Sequence, residues 1–135
     1  RRTQPEGARS LAELQAIPNV HVLGAIDRQE VPTYVAHFDV AVIPYRDNEY
    51  NQASFPLKFW EFMASGKPIV VSGLPELRPY ADLISYVGAG EDFGAAIKKT
   101  LSDSDVNQHK RRLLAKDHSW GARVQALKDL LSALN

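Results

Sequence analysis

Hydrophobic and polar positions follow two alternating patterns along the chain. Short runs rich in Val and Ile, typical of strands, alternate with longer stretches in which apolar residues recur at helical spacing. The strand-like runs cover residues 20–23, 39–44, 68–72 and, more weakly, 84–87. This alternation predicts an α/β fold, a Rossmann-like parallel sheet with helices on both faces. The second and third runs are nearly continuous in apolar residues, so both are expected to be central strands.

The helical stretches carry their own boundary signals. Val31, Tyr34, Val35 and Phe38 repeat at helical spacing, and a further helix is expected at about 120–134. Between them, a run of mostly apolar residues begins after Pro56 and ends at Gly66. Proline suits a first helical turn and glycine a C-terminal cap. Because this helix is apolar nearly all round, it is expected to need cover from a second domain or a partner.

Composition narrows the function classes. The 135 residues suit one domain, and 16 basic against 16 acidic residues give no net charge, which argues against nucleic acid as a partner. The cationic stretch 109–116 is interpreted as a solvated helix face. No apolar run is long enough for an integral membrane segment, and the absence of cysteine fits a cytoplasmic protein. The chain begins without Met, which suggests a fragment.

Candidate chemistry concentrates between the second strand and the following helix. Ligands in open α/β sheets bind beyond the carboxyl ends of the strands, where helix N-termini favour anions. Lys58 lies in the first turn of this helix, where a cation opposes the helix dipole by a few tenths of a kcal/mol. A bound anion at the helix start would make a cation at this position favourable. The alternative, that Lys58 simply reaches into solvent, is equally consistent with the sequence.

Glu61 follows three residues later and therefore lies on the same helical face. A carboxylate in an apolar stretch needs partners. It either forms an ion pair with Lys58 or Lys67, or accepts hydrogen bonds from the vicinal hydroxyls of a ligand, as an acidic residue holds ribose in dinucleotide-binding folds. Asn51, in the preceding loop, could meet sugar hydroxyls. Phosphate at Lys58 and ribose at Glu61 would together describe a nucleotide. The four histidines share no metal-ligand spacing, so no metal site is expected.

Three blocks, in this order, resemble the C-terminal nucleotide-sugar-binding domain of GT-B retaining glycosyltransferases, particularly the group related to glycogen and sucrose synthases. The blocks are PNVHVLG at 18–24, DVAVIPY at 39–45 and PLKFWEFMASGKPIVV at 56–71. The resemblance covers nearly the whole chain, and most of its specificity lies in the third block.

The resemblance implies roles for individual residues. Glu61 corresponds to the second glutamate of the family's Glu-x7-Glu signature, which holds the donor ribose. The helix start would meet the diphosphate through Ser54, Pro56, Leu57 and Lys58. Eight residues before Glu61 stands Ala53 instead of the first glutamate, so the sugar contact would pass to Asn51 or Ser54. No catalytic residue is identified.

The family's domain has six strands in the order 3-2-1-4-5-6, and the four runs correspond to the third through sixth. Residues 1–135 would therefore be a single, truncated domain lacking its first two strands. The run 20–23 would lie at the far edge, two missing neighbours away from the run 39–44. Exposed sheet edges would then favour association with another copy of the chain.

The resulting expectation is the donor-binding part of a glycosyltransferase that takes a nucleoside-diphosphate sugar and retains its configuration, without an obligatory metal. The acceptor site would belong to a missing N-terminal domain, so the chain alone would be inactive. The protein would be cytoplasmic or peripheral to the inner face of the membrane. Two alternatives stay open, a nucleotide-sugar epimerase of the same architecture and a non-catalytic interaction module that docks a partner through the helix at 59–63.

Overall fold

The computed structural model describes residues 11–133 of the chain. Residues 11–15 are helical and are called α1 here. The further helices are α2 (Val31–Ala36), α3 (Glu49–Gln52), α4 (Lys58–Ser65), α5 (Phe93–Ser102), α6 (Gln108–Asp117) and α7 (Trp120–Ala133). The strands are β1 (Ala41–Pro44), β2 (Ile69–Ser72) and β3 (Ser85–Val87), and a 3-10 helix covers Pro75–Tyr80.

The three strands form a parallel sheet in the order β1-β2-β3. Ala41 lies beside Ile69, and Val70 lies beside Ser85. Helices α3 and α4 lie in the connection from β1 to β2, and the 3-10 helix connects β2 to β3. The α/β prediction is therefore confirmed as a parallel sheet flanked by helices. Because the strands are parallel, their carboxyl ends meet at one edge of the sheet.

Two strand predictions need correction. Residues 20–23 form no strand, because a strand needs a neighbour for its backbone hydrogen bonds and they pair with none of the described strands. The run 39–44 does form β1, but β1 lies at an edge of the described sheet, and Val42 is 39% exposed. The run 68–72 forms β2, which is central as predicted. An apolar run of this kind therefore neither guarantees a strand, as residues 20–23 show, nor fixes the place of a strand in the sheet, as β1 shows.

The chain divides between Val31 and Pro32 into two compact units. In the first, the described residues form α1 and a series of turns, one of them closed by the Val20 N–H donating to the Ile17 carbonyl at 3.0 Å. The second unit contains the sheet and every helix from α3 onward. Whether residues 1–135 act as a single truncated domain stays a prediction.

The core of the second unit lies between the sheet, α4 and the 3-10 helix. Its fully buried side chains include Ile43, Phe59, Met63, Leu74 and Leu77. Burying side chains of this size is worth about 1.5–3 kcal/mol each relative to exposure. Phe59 and Met63 come from α4, so the helix that reaches the carboxyl edge is anchored in the core.

The cover expected for α4 comes from within the chain. Trp60 and Phe62 pack against the core cluster, and Trp60 stacks on His118 with ring centroids 4.0 Å apart. At the far end, Gly66 has φ +77° and caps the helix through its N–H to Met63 O, as predicted. The apolar face of α4 therefore gives no support to the alternative of an interaction module that docks through this helix.

Arg111 of α6 corrects another expectation. It lies in the cationic stretch 109–116, interpreted as solvated, but is only 3% exposed. Its guanidinium donates to Gly66 O through Nε at 3.1 Å and Nη2 at 2.9 Å, and to Leu83 O through Nη1 at 3.0 Å. It also forms an ion pair with Asp105. These acceptors make burial of the charge tolerable, and they tie α6 to the C-terminal end of α4.

Candidate functional site

The loops that follow the three strands enclose a cleft of about 140 Å³. Tyr45 and Asp47 come after β1, Gly73 follows β2, and Gly88 follows β3. Arg78 of the 3-10 helix also lines the cleft. Ligands of open α/β sheets bind at this edge, and the cleft is therefore the candidate site.

Two of these loops are in close contact. The Ser72 hydroxyl donates to the Tyr45 carbonyl at 3.1 Å. Gly73 has φ +66°, and a Cβ placed on it would lie 2.2 Å from the same carbonyl oxygen. No side chain fits between these backbones. The position of Tyr45 at the cleft thus depends on glycine at position 73.

The loop between β1 and α4 is held by its own polar side chains. Asn51 is 8% exposed, and its Nδ2 donates to Arg46 O at 2.7 Å. The Ser54 hydroxyl donates to Tyr50 O at 2.8 Å. Both predicted ligand-binding residues therefore hold the loop in shape. Their contacts with a sugar or a diphosphate stay predictions, and Asn51 would have to use its Oδ1.

The start of α4 lies beside the cleft. No side chain of the described residues caps it, and the Phe59 and Trp60 N–H groups donate to Pro56 O and Leu57 O. Leu57, the residue at the N-cap of this helix, is 76% exposed. The Lys58 ammonium lies 4.9 Å from the centroid of the Tyr45 ring, a cation–π contact. Lys58 is thus held over a residue that lines the cleft, which does not match a side chain that simply reaches into solvent.

Glu61 is exposed one turn further along α4. Within residues 11–133 it forms no ion pair with Lys58 or Lys67, so the ion-pair alternative is not observed. Its carboxylate is open to accept hydrogen bonds from a ligand. A role in ribose binding stays a prediction.

Arg78 is a candidate that the sequence did not reveal, since its position after Pro75 and Glu76 is explained adequately by turn formation. In the structure its guanidinium carbon lies 5.4 Å from the centroid of the Tyr86 ring. Both residues line the cleft. The sequence offers one signal for Arg78, its place a few residues after the predicted strand at 68–72. That signal alone does not indicate a ligand-binding residue, because it does not show which residues surround Arg78 in the fold.

Two larger cavities, of about 310 and 350 Å³, lie at the opposite edge of the sheet. Pro68, which precedes β2, and Asp105 line both of them. Arg111, which reaches only the first, is occupied by structural hydrogen bonds. The candidate site is therefore not the largest cavity of the described residues. It is chosen by its position at the carboxyl ends of the strands.

Two features are absent from residues 11–133. No group of three or more His, Cys, Asp and Glu side chains is arranged to hold a metal ion. No helix in the same range is long and apolar enough to cross a membrane. Metal independence stays a prediction.

Comparison with known proteins gives two findings. The family model of glycosyl transferases group 1 matches residues 3–103, a range that contains the whole cleft and α4. A putative teichuronic acid biosynthesis glycosyltransferase, TuaH of Bacillus subtilis (strain 168), is 40% identical over 119 residues, which is 82% of this chain and 30% of that protein. The chain thus spans about 30% of the relative's length. No solved structure matches the chain significantly.

Proposed function

Since the chain belongs to the glycosyl transferases group 1 family, we propose that it is the donor-binding part of a GT-B glycosyltransferase that takes a nucleoside-diphosphate sugar and retains its configuration. A relative named as a glycosyltransferase favours transfer over epimerisation. Acceptor binding would fall to an N-terminal domain outside this chain, and the chain alone would not turn over. We also propose a cytoplasmic location, either free or peripheral to the inner face of the membrane.

The observation that supports the proposal is the placement of Lys58 and Glu61 at the start of α4. Lys58 lies over Tyr45 at the cleft, and Glu61 is exposed on the next turn without an ion pair in the described residues. A diphosphate would lie against Lys58 and the backbone of Ser54, Pro56 and Leu57, and the ribose hydroxyls would donate to Glu61. A helix start with a nearby cation suits the diphosphate, and a carboxylate without an ion pair suits the ribose hydroxyls.

The chemical contribution of this site would be electrostatic. Breaking the bond between sugar and diphosphate leaves negative charge on the departing diphosphate. The N-terminal end of α4 carries about half a positive charge, and Lys58 adds a full one. Groups fixed in place before the reaction stabilise charge that develops in the transition state. The residues of this chain would therefore stabilise the leaving group without a base and without an obligatory metal.

Replacing Glu61 with glutamine tests the ribose contact. Hydrogen bonds to a charged acceptor are worth about 1.5–3 kcal/mol, so Glu61→Gln should weaken nucleotide binding by about tenfold or more. The measurement is titration calorimetry of UDP, GDP and ADP with the full-length protein. Glu13→Gln, at an exposed glutamate of α1, is the matched control and should bind as the wild type does. Equal affinities for the two variants would remove Glu61 from the site.

Replacing Lys58 with glutamine tests the diphosphate contact. The variant should lose about tenfold in affinity for the nucleoside diphosphate that binds, since a charge-assisted hydrogen bond is lost. Affinity for the corresponding nucleoside, which has no phosphate, should not change. Competition between the two ligands gives both values. A parallel loss for the nucleoside would mean that Lys58 acts on the shape of the loop and not on the phosphates.

A further inference from the structure

Arg78 is a cation at the cleft that has no anionic partner within residues 11–133. Its guanidinium makes no hydrogen bond and no ion pair with any described residue. Asp47 lines the same cleft but accepts from Gln52 Nε2 at 3.3 Å. Tyr86 lies 5.4 Å from the guanidinium carbon. Arg78 is thus exposed and held on one side by an aromatic ring, and its hydrogen-bond donors meet no acceptor among the described residues.

An arginine on an aromatic ring is well prepared to bind an oxyanion. The ring restricts the orientation of the planar guanidinium, which reduces the entropy lost when a ligand binds. Carboxylate and phosphate groups match the paired donors of the guanidinium. The feature therefore predicts an oxyanion as its ligand, more specifically than an unrestrained surface lysine would.

Tyr45 lies near both cations of the site, Lys58 and Arg78. Its ring faces the Lys58 ammonium at 4.9 Å, and Tyr45 and Arg78 line one cleft. Lys58 belongs to α4 and lies over Tyr45, whereas Arg78 belongs to the 3-10 helix and lies over Tyr86. Two separate connections of the sheet therefore each place a cation on a tyrosine that lines this cleft. A ligand with negative charge at more than one position suits this arrangement.

We propose that Arg78 binds an oxyanion of the donor substrate inside the cleft. The oxyanion is either a phosphate of the nucleoside diphosphate or a carboxylate on the transferred sugar, and the chemistry of recognition is the same for both. The inference rests on the proposed function. It adds to that function a second cation, contributed by an element outside the Ser54 to Lys58 helix start.

The experiment compares Arg78→Gln and Arg78→Lys with the wild-type full-length protein. The ligands are the nucleoside diphosphate that binds (UDP, GDP or ADP), its glucose conjugate and its glucuronate conjugate. Arg123→Gln is the matched control, because Arg123 is also exposed and lies over an aromatic ring, that of Trp120 at 5.7 Å. Thermal unfolding of every variant checks that the fold is intact.

Arg78→Gln should weaken binding by about tenfold or more, with Arg78→Lys between it and the wild type and Arg123→Gln unchanged. An equal loss for all three ligands identifies the diphosphate as the partner. A loss confined to the glucuronate conjugate identifies the sugar carboxylate. If all three ligands bind Arg78→Gln normally while Glu61→Gln still weakens them, the inference is overturned and the proposed function stands. If the wild type binds no nucleotide, the proposed function fails and this inference fails with it.

Discussion

Arg111→Ala is expected to lower the free energy of unfolding by about 3–5 kcal/mol, because the buried Arg111 guanidinium is the donor to two main-chain carbonyls that the variant leaves without it. Gly66 O loses two donors and Leu83 O loses one. Each carbonyl left without a donor in a buried place costs about 1–3 kcal/mol. Asp105 would lose its ion pair as well. Denaturant unfolding at constant pH measures the difference.

The neighbouring residue supplies the control. Arg112 also donates to a carbonyl at the end of α4, Ser65 O at 2.9 and 3.2 Å, but it is exposed to solvent. Water can replace its hydrogen bonds, so Arg112→Ala should cost about 1 kcal/mol. The contrast between adjacent arginines isolates burial as the cause. Equal losses for the two variants would show that the Arg111 network contributes no more than an ordinary surface contact.

The sequence predicted the elements whose signals are local. Gly66 ends α4 because only a residue without Cβ adopts φ +77° freely, and this signal needs no tertiary information. The spacing from Val31 to Phe38 gave α2 for the same reason, since periodicity is a property of the segment itself. The apolar runs at 39–44 and 68–72 gave β1 and β2.

Features that depend on neighbours could not be predicted in this way. The run at 20–23 has the composition of a strand, but composition does not provide a pairing partner. Arg111 looks like the other cations of its stretch until the carbonyls of Gly66 and Leu83, distant in sequence, surround it. Arg78 becomes a candidate only when the fold brings it into one cleft with Tyr45.

The candidate site falls between these two cases. The sequence singled out Lys58 and Glu61 because a cation in a first helical turn and a carboxylate in an apolar stretch are both unusual choices. It also singled out Asn51, whose amide the structure uses to hold the loop. Lys58 lies over a residue of the cleft, whereas the Asn51 amide is engaged within its own loop. The ligand contacts of Lys58, Glu61 and Asn51 all stay predictions.

Gly73→Ala is expected to disrupt the cleft and to destabilise the fold by about 3–5 kcal/mol. Two costs add. The position has φ +66°, which alanine adopts with strain, and the new Cβ would lie 2.2 Å from Tyr45 O and 2.7 Å from the carbonyl carbon of Arg46. Both contacts are with backbone, which cannot rotate away. The loop after β1 must therefore move, and Tyr45 moves with it relative to Lys58 and Arg78.

Gly90→Ala separates the two costs. Gly90 has φ +82°, and a Cβ there would meet nothing within 4 Å, so this variant pays only for the backbone conformation, about 1 kcal/mol. The difference between the two variants in denaturant unfolding measures the clash with Tyr45 and Arg46. In the full-length protein, Gly73→Ala should also weaken nucleotide binding more than tenfold at a temperature where it is still folded, since Tyr45, which lines the cleft and lies under the Lys58 ammonium, is displaced. Normal nucleotide binding by folded Gly73→Ala would mean that the cleft does not take the donor, whatever the stability of the variant.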